Sequence, residues 1–363
     1  MLYPAITDLL TATPSGTLSS LSAQQTVTFR IKQEARRLEA VILTLKATTG
    51  ASPANNHDGL AGLVKEIRLV AEDVNGKRNI VQVTGPALLS FIRNNFGSLD
   101  RHTFASYRAA NLAASTAYAC NFFIPVRHPN VAEPYGHQLS LPLSANFIKG
   151  DAMLEVDINP ASVVFSAGAP TGATIKALAI LRNVPDSVPY IPTELITQTI
   201  SFAAAGKQAY DFSTTGFLTQ VLVQGYNSTT YGSSIQRTNV LSSIPEGTLA
   251  YVHGRNKIMV LDNDFGFALN DLTQYLVGKV PGETTINPAS FDGEVFLDFM
   301  SDYPGADAFS AASIPNLNTD ALGGDKARLE FDQWANSAAM ARITYHKILA
   351  RTRDAIKGLA VAI

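Results

Sequence analysis

Cysteine is almost absent from this sequence. Cys120 is the single one among 363 residues, so no internal disulfide exists and the fold must stand on burial. Charge is sparse as well, with 28 Lys and Arg against 30 Asp and Glu, 16% of the chain, and a net charge of −2. The missing cationic excess argues against direct, sequence-specific nucleic-acid binding, because phosphates call for a clear surplus of Lys and Arg. Long apolar runs are lacking too, and none approaches the roughly 18 residues of a membrane span. No Lys or Arg precedes Arg30, so a secretory signal would lack its basic start. The expectation is a soluble protein made in a reducing compartment.

What is present is apolar. Hydrophobic residues make up 46% of the chain, ample for sizeable cores, which excludes disorder as the dominant state. The length predicts two domains of ordinary size or one large one. So apolar a chain with so few charges predicts that part of its surface is covered by copies of itself or by partners.

The dominant periodicity is that of strands. Val27, Phe29 and Ile31 alternate with polar neighbours, as do Leu154, Val156 and Ile158; Leu139, Leu141 and Leu143 read as a third half-buried strand. Ala40 to Leu45 and Ile175 to Leu181 are apolar at consecutive positions, which predicts strands covered on both faces. Gly, Pro, Asn and Ser clusters divide these short strands, the pattern of a sandwich or barrel.

Two helices interrupt the strands. Pro86 follows Thr84-Gly85 where a first helical turn tolerates it, and Leu88, Leu89, Ile92 and Phe96 form a stripe that Gly97 ends. The second helix begins after Asp264 and carries Phe267, Ala268, Leu269, Leu272, Tyr275 and Leu276 before Gly278. These helices are landmarks of an internal repeat with an offset of about 175 residues, far beyond the roughly 20–50 of solenoid periods. Gln25–Phe29 matches Gln198–Phe202, Gly76–Val81 matches Gly254–Val260, and Phe122–Val126 matches Val295–Phe299. Leu154–Asp157 likewise matches Leu329–Asp332, and the strand from Ile175 matches that from Ile343. Their common order predicts a duplicated β-rich domain, divided at the stiff segment Pro185 to Pro192. The expected organisation is an N-terminal arm over 1–23, a first domain over 24–188, a second over 189–346, and a basic tail over 347–363. Gly225 to Gly247 and Ser301 to Asp325 read as polar excursions from the sandwich ends.

No chemical motif survives inspection. Asp264-Phe265-Gly266 spells a kinase metal-binding triplet without the other kinase elements, and Gly206-Lys207 lacks the rest of a phosphate loop. His57, His102, His128, His137, His253 and His346 follow no metal-ligand spacing, and Asp262/Asp264 and Asp298/Asp302/Asp307 lack the glycine-centred spacing of a calcium loop. Asn227-Ser228-Thr229 is a glycosylation sequon, but without an export signal it reads more strongly as an exposed polar loop. No catalytic residue, cofactor site or metal site is assigned. The C-terminal stretch is different, because Arg342, Lys347, Arg351, Arg353 and Lys357 are opposed only by Asp354 and precede an apolar end, Leu359 to Ile363. Lys347, Arg351, Arg353 and Lys357 suit an anionic lipid surface or a minor protein, or else the last turns of a solvated helix.

Two tandem β-rich domains, each with a helix inserted after a hairpin, define a pattern. The segment Leu63 to Gly85, with Glu66-Ile67-Arg68-Leu69 and Asp73-Val74-Asn75-Gly76-Lys77-Arg78, is similar to the corresponding hairpin of the tectivirus coat, as is the progression from Phe122–Val126 to the Leu154 strand. The chain resembles the double jelly-roll major capsid proteins of tailless, membrane-containing icosahedral bacteriophages, the lineage that includes tectiviruses and adenovirus hexon. That resemblance implies an all-β fold of two eight-stranded jelly rolls, homotrimers with a hexagonal outline, and a structural, non-enzymatic role in the virion shell. It also implies synthesis in the host cytoplasm, partners among neighbouring trimers, minor capsid and vertex proteins, and an internal membrane facing the base. The alternatives are a carbohydrate-binding or bicupin-like tandem sandwich, and a viral spike module.

Overall fold

A computed structural model of the chain describes residues 5–8, 10–13, 16–73, 76–96, 112–127, 136–202, 206–213, 216–238, 249–253, 256–261, 294–298, 327–334 and 339–349. These fall into two compact units. The first draws on Met1–Arg93, Ser98–Ile196 and Tyr231–Gln236; the second on Asn94–Gly97, Thr197–Thr230 and Arg237–Ile363.

In the first unit the strands are β1 (Ala5–Asp8), β2 (Leu10–Thr13), β3 (Thr17–Leu18), β4 (Gln25–Ile31), β5 (Arg37–Thr48), β6 (Ala54–Asn55) and β7 (Val64–Asp73). They continue with β8 (Gly76–Val83), β9 (Ala117–Pro125), β10 (Leu141–Pro142), β11 (Ala152–Ile158), β12 (Phe165–Ala167) and β13 (Ala173–Arg182). One sheet runs β8-β7-β11-β4-β2, and the other is centred on β13-β5-β9 with β1, β3 and β10 attached. Successive strands alternate between the sheets. β4 is in one, β5 in the other, β7 and β8 back in the first, then β9, β11 and β13 by turns. Antiparallel partners are therefore distant in sequence, such as β4 with β11 and β5 with β13.

Alternation produces the core directly. Val27, Phe29, Ile31, Leu154, Val156, Ile158, Ile67, Leu69 and Val81 from the first sheet are at most 1% exposed. Val41, Leu43, Leu45, Ile175, Phe122 and Ile124 supply the facing layer. Each large side chain so buried contributes about 1.5–3 kcal/mol.

β14 (Thr193–Phe202) pairs in parallel with β8 through Leu195 and Ile196. In the second unit follow β15 (Gly206–Asp211), β16 (Phe217–Tyr226), β17 (Arg237–Thr238), β18 (Leu249–His253) and β19 (Asn256–Leu261). β20 (Glu294–Asp298), β21 (Ala327–Trp334) and β22 (Ala339–Ile348) complete the described strands. One sheet has the order β15-β21-β18-β19, while β16 pairs with β22, β20 and β17.

The pairing pattern of the first unit thus recurs. β4-β11-β7-β8 corresponds to β15-β21-β18-β19, and β13-β5-β9 corresponds to β22-β16-β20, with the same alternation between sheets along the chain. Two tandem jelly-roll sandwiches follow from this topology. The match of Gln25–Phe29 with Gln198–Phe202 is corrected by it, because the strand that pairs with β21 as β4 pairs with β11 is β15, whereas Gln198–Phe202 lies in the additional strand β14. Short alternating strands look alike, and only the ladder distinguishes them.

Helix α1 (Gly85–Phe96) forms where the Thr84-Gly85-Pro86 signal places it. The Leu88 amide donates to the Thr84 carbonyl at 2.9 Å. Gly85 is required by close approach, since a Cβ there would fall 2.7 Å from the Ala61 carbonyl oxygen. The helix is buried beyond its expected stripe, with Ala87, Ser90 and Phe91 enclosed beside Leu88, Leu89 and Ile92. The helix expected at Phe267, Leu269 and Leu272 lies outside the described residues.

Three local expectations change. The described strands of the expected arm are not separate from the sandwich: β1 and β3 pair with β13, and β2 with β4. Only Leu141–Pro142 of the stretch 139–143 is strand, and that stretch is buried throughout because Gly136–Leu139 turns as a helix immediately before it. β13 is not covered on both faces: Ile175, Ala177, Ala179 and Leu181 point inward, while Lys176 is exposed and Leu178 and Ile180 half-buried.

Candidate functional site

The two sheets of the first unit present outward faces of different chemistry. On the β8-β7-β11-β4 sheet, register places Arg68 opposite Glu155 and Glu66 opposite Asp157. Arg68 donates to Glu155 at 3.1 Å, to Asp157 at 2.9 Å and to Glu66. Gln82 donates to the other oxygen of Glu66 at 2.9 Å, and Thr26 donates to Asp157 at 2.6 Å. Burial alone would lower the Arg68 pKa, but the Glu155 hydrogen bond and the charge and hydrogen bond of Asp157, with Glu66 behind them, raise it above its ordinary value. Arg30 pairs with Asp151 on the same sheet. Arg68 thus serves three carboxylates and Arg30 a fourth, whose charge Lys32 also opposes.

On the β13-β5-β9 sheet the outward rows are Ile180-Ala40-Pro125, Leu178-Ile42-Phe123, Lys176-Thr44-Asn121 and Thr174-Lys46-Ala119. Ile42, Leu178 and Ile180 are half-buried, and Lys46 and Lys176 are exposed. At the apolar end, a bulge turns Glu39 out of the ladder, where Arg182 at 2.8 Å and Arg127 at 3.4 Å both pair with it. This face is apolar at one end and basic at the other.

The corresponding sheet of the second unit is enclosed. Every residue of β16 and β22 is buried. Its inner rows are Val221, Val223, Ile343 and Tyr345; its other face carries Gln220, Gln224, Arg342, Thr344 and His346. That polar face is bonded in part, with Gln220 donating to Asn95, Gln224 to Glu294 at 3.1 Å, and the Thr197 and Thr344 hydroxyls 2.8 Å apart. Arg342 donates to the Tyr226 hydroxyl at 2.9 Å and stacks over that ring.

Segment Tyr231–Gln236 belongs to the first unit although it follows β16 in sequence. Tyr231 donates to buried Asp58 at 3.1 Å, Asn56 donates to the Gly232 carbonyl at 3.1 Å, and the His57 amide to that of Ile235 at 3.3 Å. Ile235 is 1% exposed. A second anchor holds the proline-rich stretch 185–192. Arg37 is 1% exposed and donates to the carbonyls of His137 at 2.8 Å, Pro189 at 3.2 Å and Val188. Burial depresses its pKa, against the charges of Asp186 and Tyr190.

Of the basic C-terminal group, Lys347 lies inside β22 with 0% exposure, donating to both the carbonyl and the hydroxyl of Ser213, the latter at 2.8 Å. It and Arg342 are used within the second unit and face no external surface in the chain. Its parity with Ile343 and Tyr345 is the sequence signal that it points inward. Arg351, Arg353 and Lys357 lie outside the described residues, as do His102, His128, Asp262 and Asp264. His346 is buried, 2.7 Å from the Thr219 hydroxyl. Among the described residues, no three His, Cys, Asp or Glu side chains converge as metal ligands, and no helix is long and apolar enough to cross a membrane.

No family model matches the sequence, and no curated protein is similar to it in sequence. Solved structures are similar in fold. The major capsid protein of Sulfolobus turreted icosahedral virus matches with a TM-score of 0.63 at 12% identity, over 99% of this chain and 100% of that one. VP54 of PBCV-1, fitted into a reconstruction of the virophage Sputnik, gives 0.59 at 10% identity, over 95% and 93%. The major capsid protein P2 of bacteriophage PM2 gives 0.53 at 10% identity, over 96% and 99%. The chain has the double jelly-roll fold of these viral major capsid proteins, along nearly its whole length.

Proposed function

We propose that this chain is a structural coat protein, a viral major capsid subunit that self-assembles into the shell of an icosahedral virion. The observation that carries this reading is the recurrence of one jelly-roll pairing pattern twice in a single chain, at the full length of capsid proteins built the same way. In this reading the chain forms homotrimers, two sandwiches from each of three copies approximating a hexagon that tiles with neighbouring trimers. It is made in the host cytoplasm, meets minor capsid and vertex proteins at trimer edges, and catalyses no reaction. Arg351, Arg353 and Lys357, ahead of apolar Leu359 to Ile363, face an internal lipid membrane at the trimer base. The repeat implies a second inserted helix at Phe267, Leu269 and Leu272, equivalent to that at Pro86, Leu88 and Ile92.

Native mass spectrometry of the purified chain tests the core of this proposal, with a trimer expected and a monomer refuting it. Replacing Arg351, Arg353 and Lys357 with Glu tests the membrane assignment. Each reversal removes about 1 kcal/mol of headgroup attraction and adds repulsion. Trimers should persist while membrane-filled particles fail to form; normal particles from that variant remove the membrane contact and leave the coat role standing.

A further inference from the structure

The equivalent sheets of the two units differ in what lies on their outward faces. In the second unit β16 and β22 are buried at every position. Helix α1 ends inside Asn94–Gly97, which counts with that unit, and its Asn95 accepts a hydrogen bond from Gln220 on the outward side of β16. The segment between β8 and β9 thus brings a polar group to a polar ladder. In the first unit, the outward row Leu178-Ile42-Phe123 of β13-β5-β9 is only half-buried, and Lys46 and Lys176 are exposed beside it. Neither lysine has an ion-pair partner among the described residues. They are diagonal neighbours, since Lys46 faces Thr174 and Lys176 faces Thr44, and such neighbours lie about 7–8 Å apart.

In chain order, residues 262–293, between β19 and β20, are the counterpart of 84–116, between β8 and β9. They lie outside the described residues, and their sequence suits the open face of the first unit. Asp262, Asp264 and Asp271 carry charge there, and no Lys or Arg occurs before Lys279. At the helical spacing expected after Asp264, Leu269, Leu272 and Leu276 share one stripe, with Asp264 and Asp271 two turns apart along its border. An apolar stripe bordered by aspartates is complementary to an apolar row bordered by lysines.

We infer that residues 264–278 of one copy dock on the outward β13-β5-β9 face of the next copy's first unit, the leucine stripe on Leu178, Ile42 and Phe123, and Asp264 and Asp271 toward Lys46 and Lys176. The inference rests on the homotrimer reading, in which first and second units alternate around six positions, and names the surfaces that join one copy to the next. Each copy offers one such segment from its second unit and one open sheet on its first. The two surfaces differ, so the contact is head-to-tail, and repeating it at three copies closes the ring. Leucines at i, i+3 and i+7 are the anchors by which a helix seats on an apolar surface. They supply the desolvated centre, and the charges set partner and register.

Carbodiimide coupling of the wild-type trimer reads this out without any variant. Chains joined in pairs on a denaturing gel should carry Lys46 or Lys176 linked to Asp264 or Asp271, as peptide mapping of that band would identify. Charge reversal gives a second reading. K46E/K176E and D264K/D271K should each run as a monomer at a concentration where the unchanged chain is trimeric, with circular dichroism retained. The chain carrying all four changes should recover the trimer, because each contact is then reversed but matched. A wild-type monomer overturns the homotrimer reading itself. A wild-type trimer whose links join these residues only within single chains seats the segment on its own copy and overturns the docking. So does a trimer that yields no such link, or one that persists in K46E/K176E; both leave the homotrimer standing.

Discussion

Gly62 offers a sharp test of how Tyr231–Gln236 is held. It lies in the 3-10 turn Gly59–Leu63 and is buried. A Cβ at Gly62 would overlap the Tyr231 hydroxyl oxygen and come 3.2 Å from a Val164 methyl. In an open turn the exchange of glycine for alanine stabilises by about 0.4–1 kcal/mol, by restricting the unfolded chain. Here the tyrosine oxygen must retreat, which breaks its hydrogen bond to the buried Asp58 carboxylate, a loss of about 1.5–3 kcal/mol. Gly62→Ala should therefore destabilise by about 1–2 kcal/mol net, lowering the melting temperature by about 2–8 °C for a unit of this size. Tyr231→Phe loses the same hydrogen bond by itself. In that background the methyl added by Gly62→Ala meets no oxygen, so the second substitution should be neutral or stabilising, and the pair should show a coupling of about 1.5–3 kcal/mol. Thermal unfolding of the four chains, with hydrogen exchange across residues 56–63, measures the cycle. Additive effects, or a Gly62→Ala chain that melts higher than its parent, would refute the placement of Tyr231 over that turn.

Other outcomes follow from single groups. Arg37→Met leaves the carbonyls of His137, Val188 and Pro189 without their donor, at a loss of about 3 kcal/mol or more, so limited proteolysis should open residues 183–191. Burial, and behind it the charge and hydrogen bond of Tyr345, pushes the Tyr210 pKa far above its ordinary value. The unfolded phenol ionises near pH ~10, so from there upward stability should fall as the unfolded chain releases a proton the folded one keeps; Tyr210→Phe should flatten that alkaline loss in a pH series of urea midpoints. Asp151 has its pKa depressed by the Gln33 amide and then by Arg30, against the effect of burial. Its contribution is present above the ordinary carboxylate range near ~3.9 and is lost as pH falls through its lower folded value. Asp151→Asn should accordingly remove stability at neutral pH and narrow the gap to wild type in acid.

Much of the architecture was written in local pattern. The two-residue period of Val27-Phe29-Ile31 and Leu154-Val156-Ile158 fixed which side chains face the core, because strand geometry sends alternate residues to opposite faces. Thr84-Gly85-Pro86 set the start of α1 for an equally local reason, a cap followed by a residue whose fixed backbone angle suits a first turn. Pairing was beyond the reach of local pattern. That β15, and not Gln198–Phe202, is the counterpart of β4 depends on which distant strand supplies hydrogen bonds, and short apolar strands carry no label for their partners. The burial of Lys347 against Ser213, the seat of Tyr231 on Asp58, and the contrast between open β13 and enclosed β22 likewise arise from groups more than a hundred residues apart. Sequence determined the faces of each strand; only the tertiary structure decided which faces meet, because burial and charge pairing belong to positions in space.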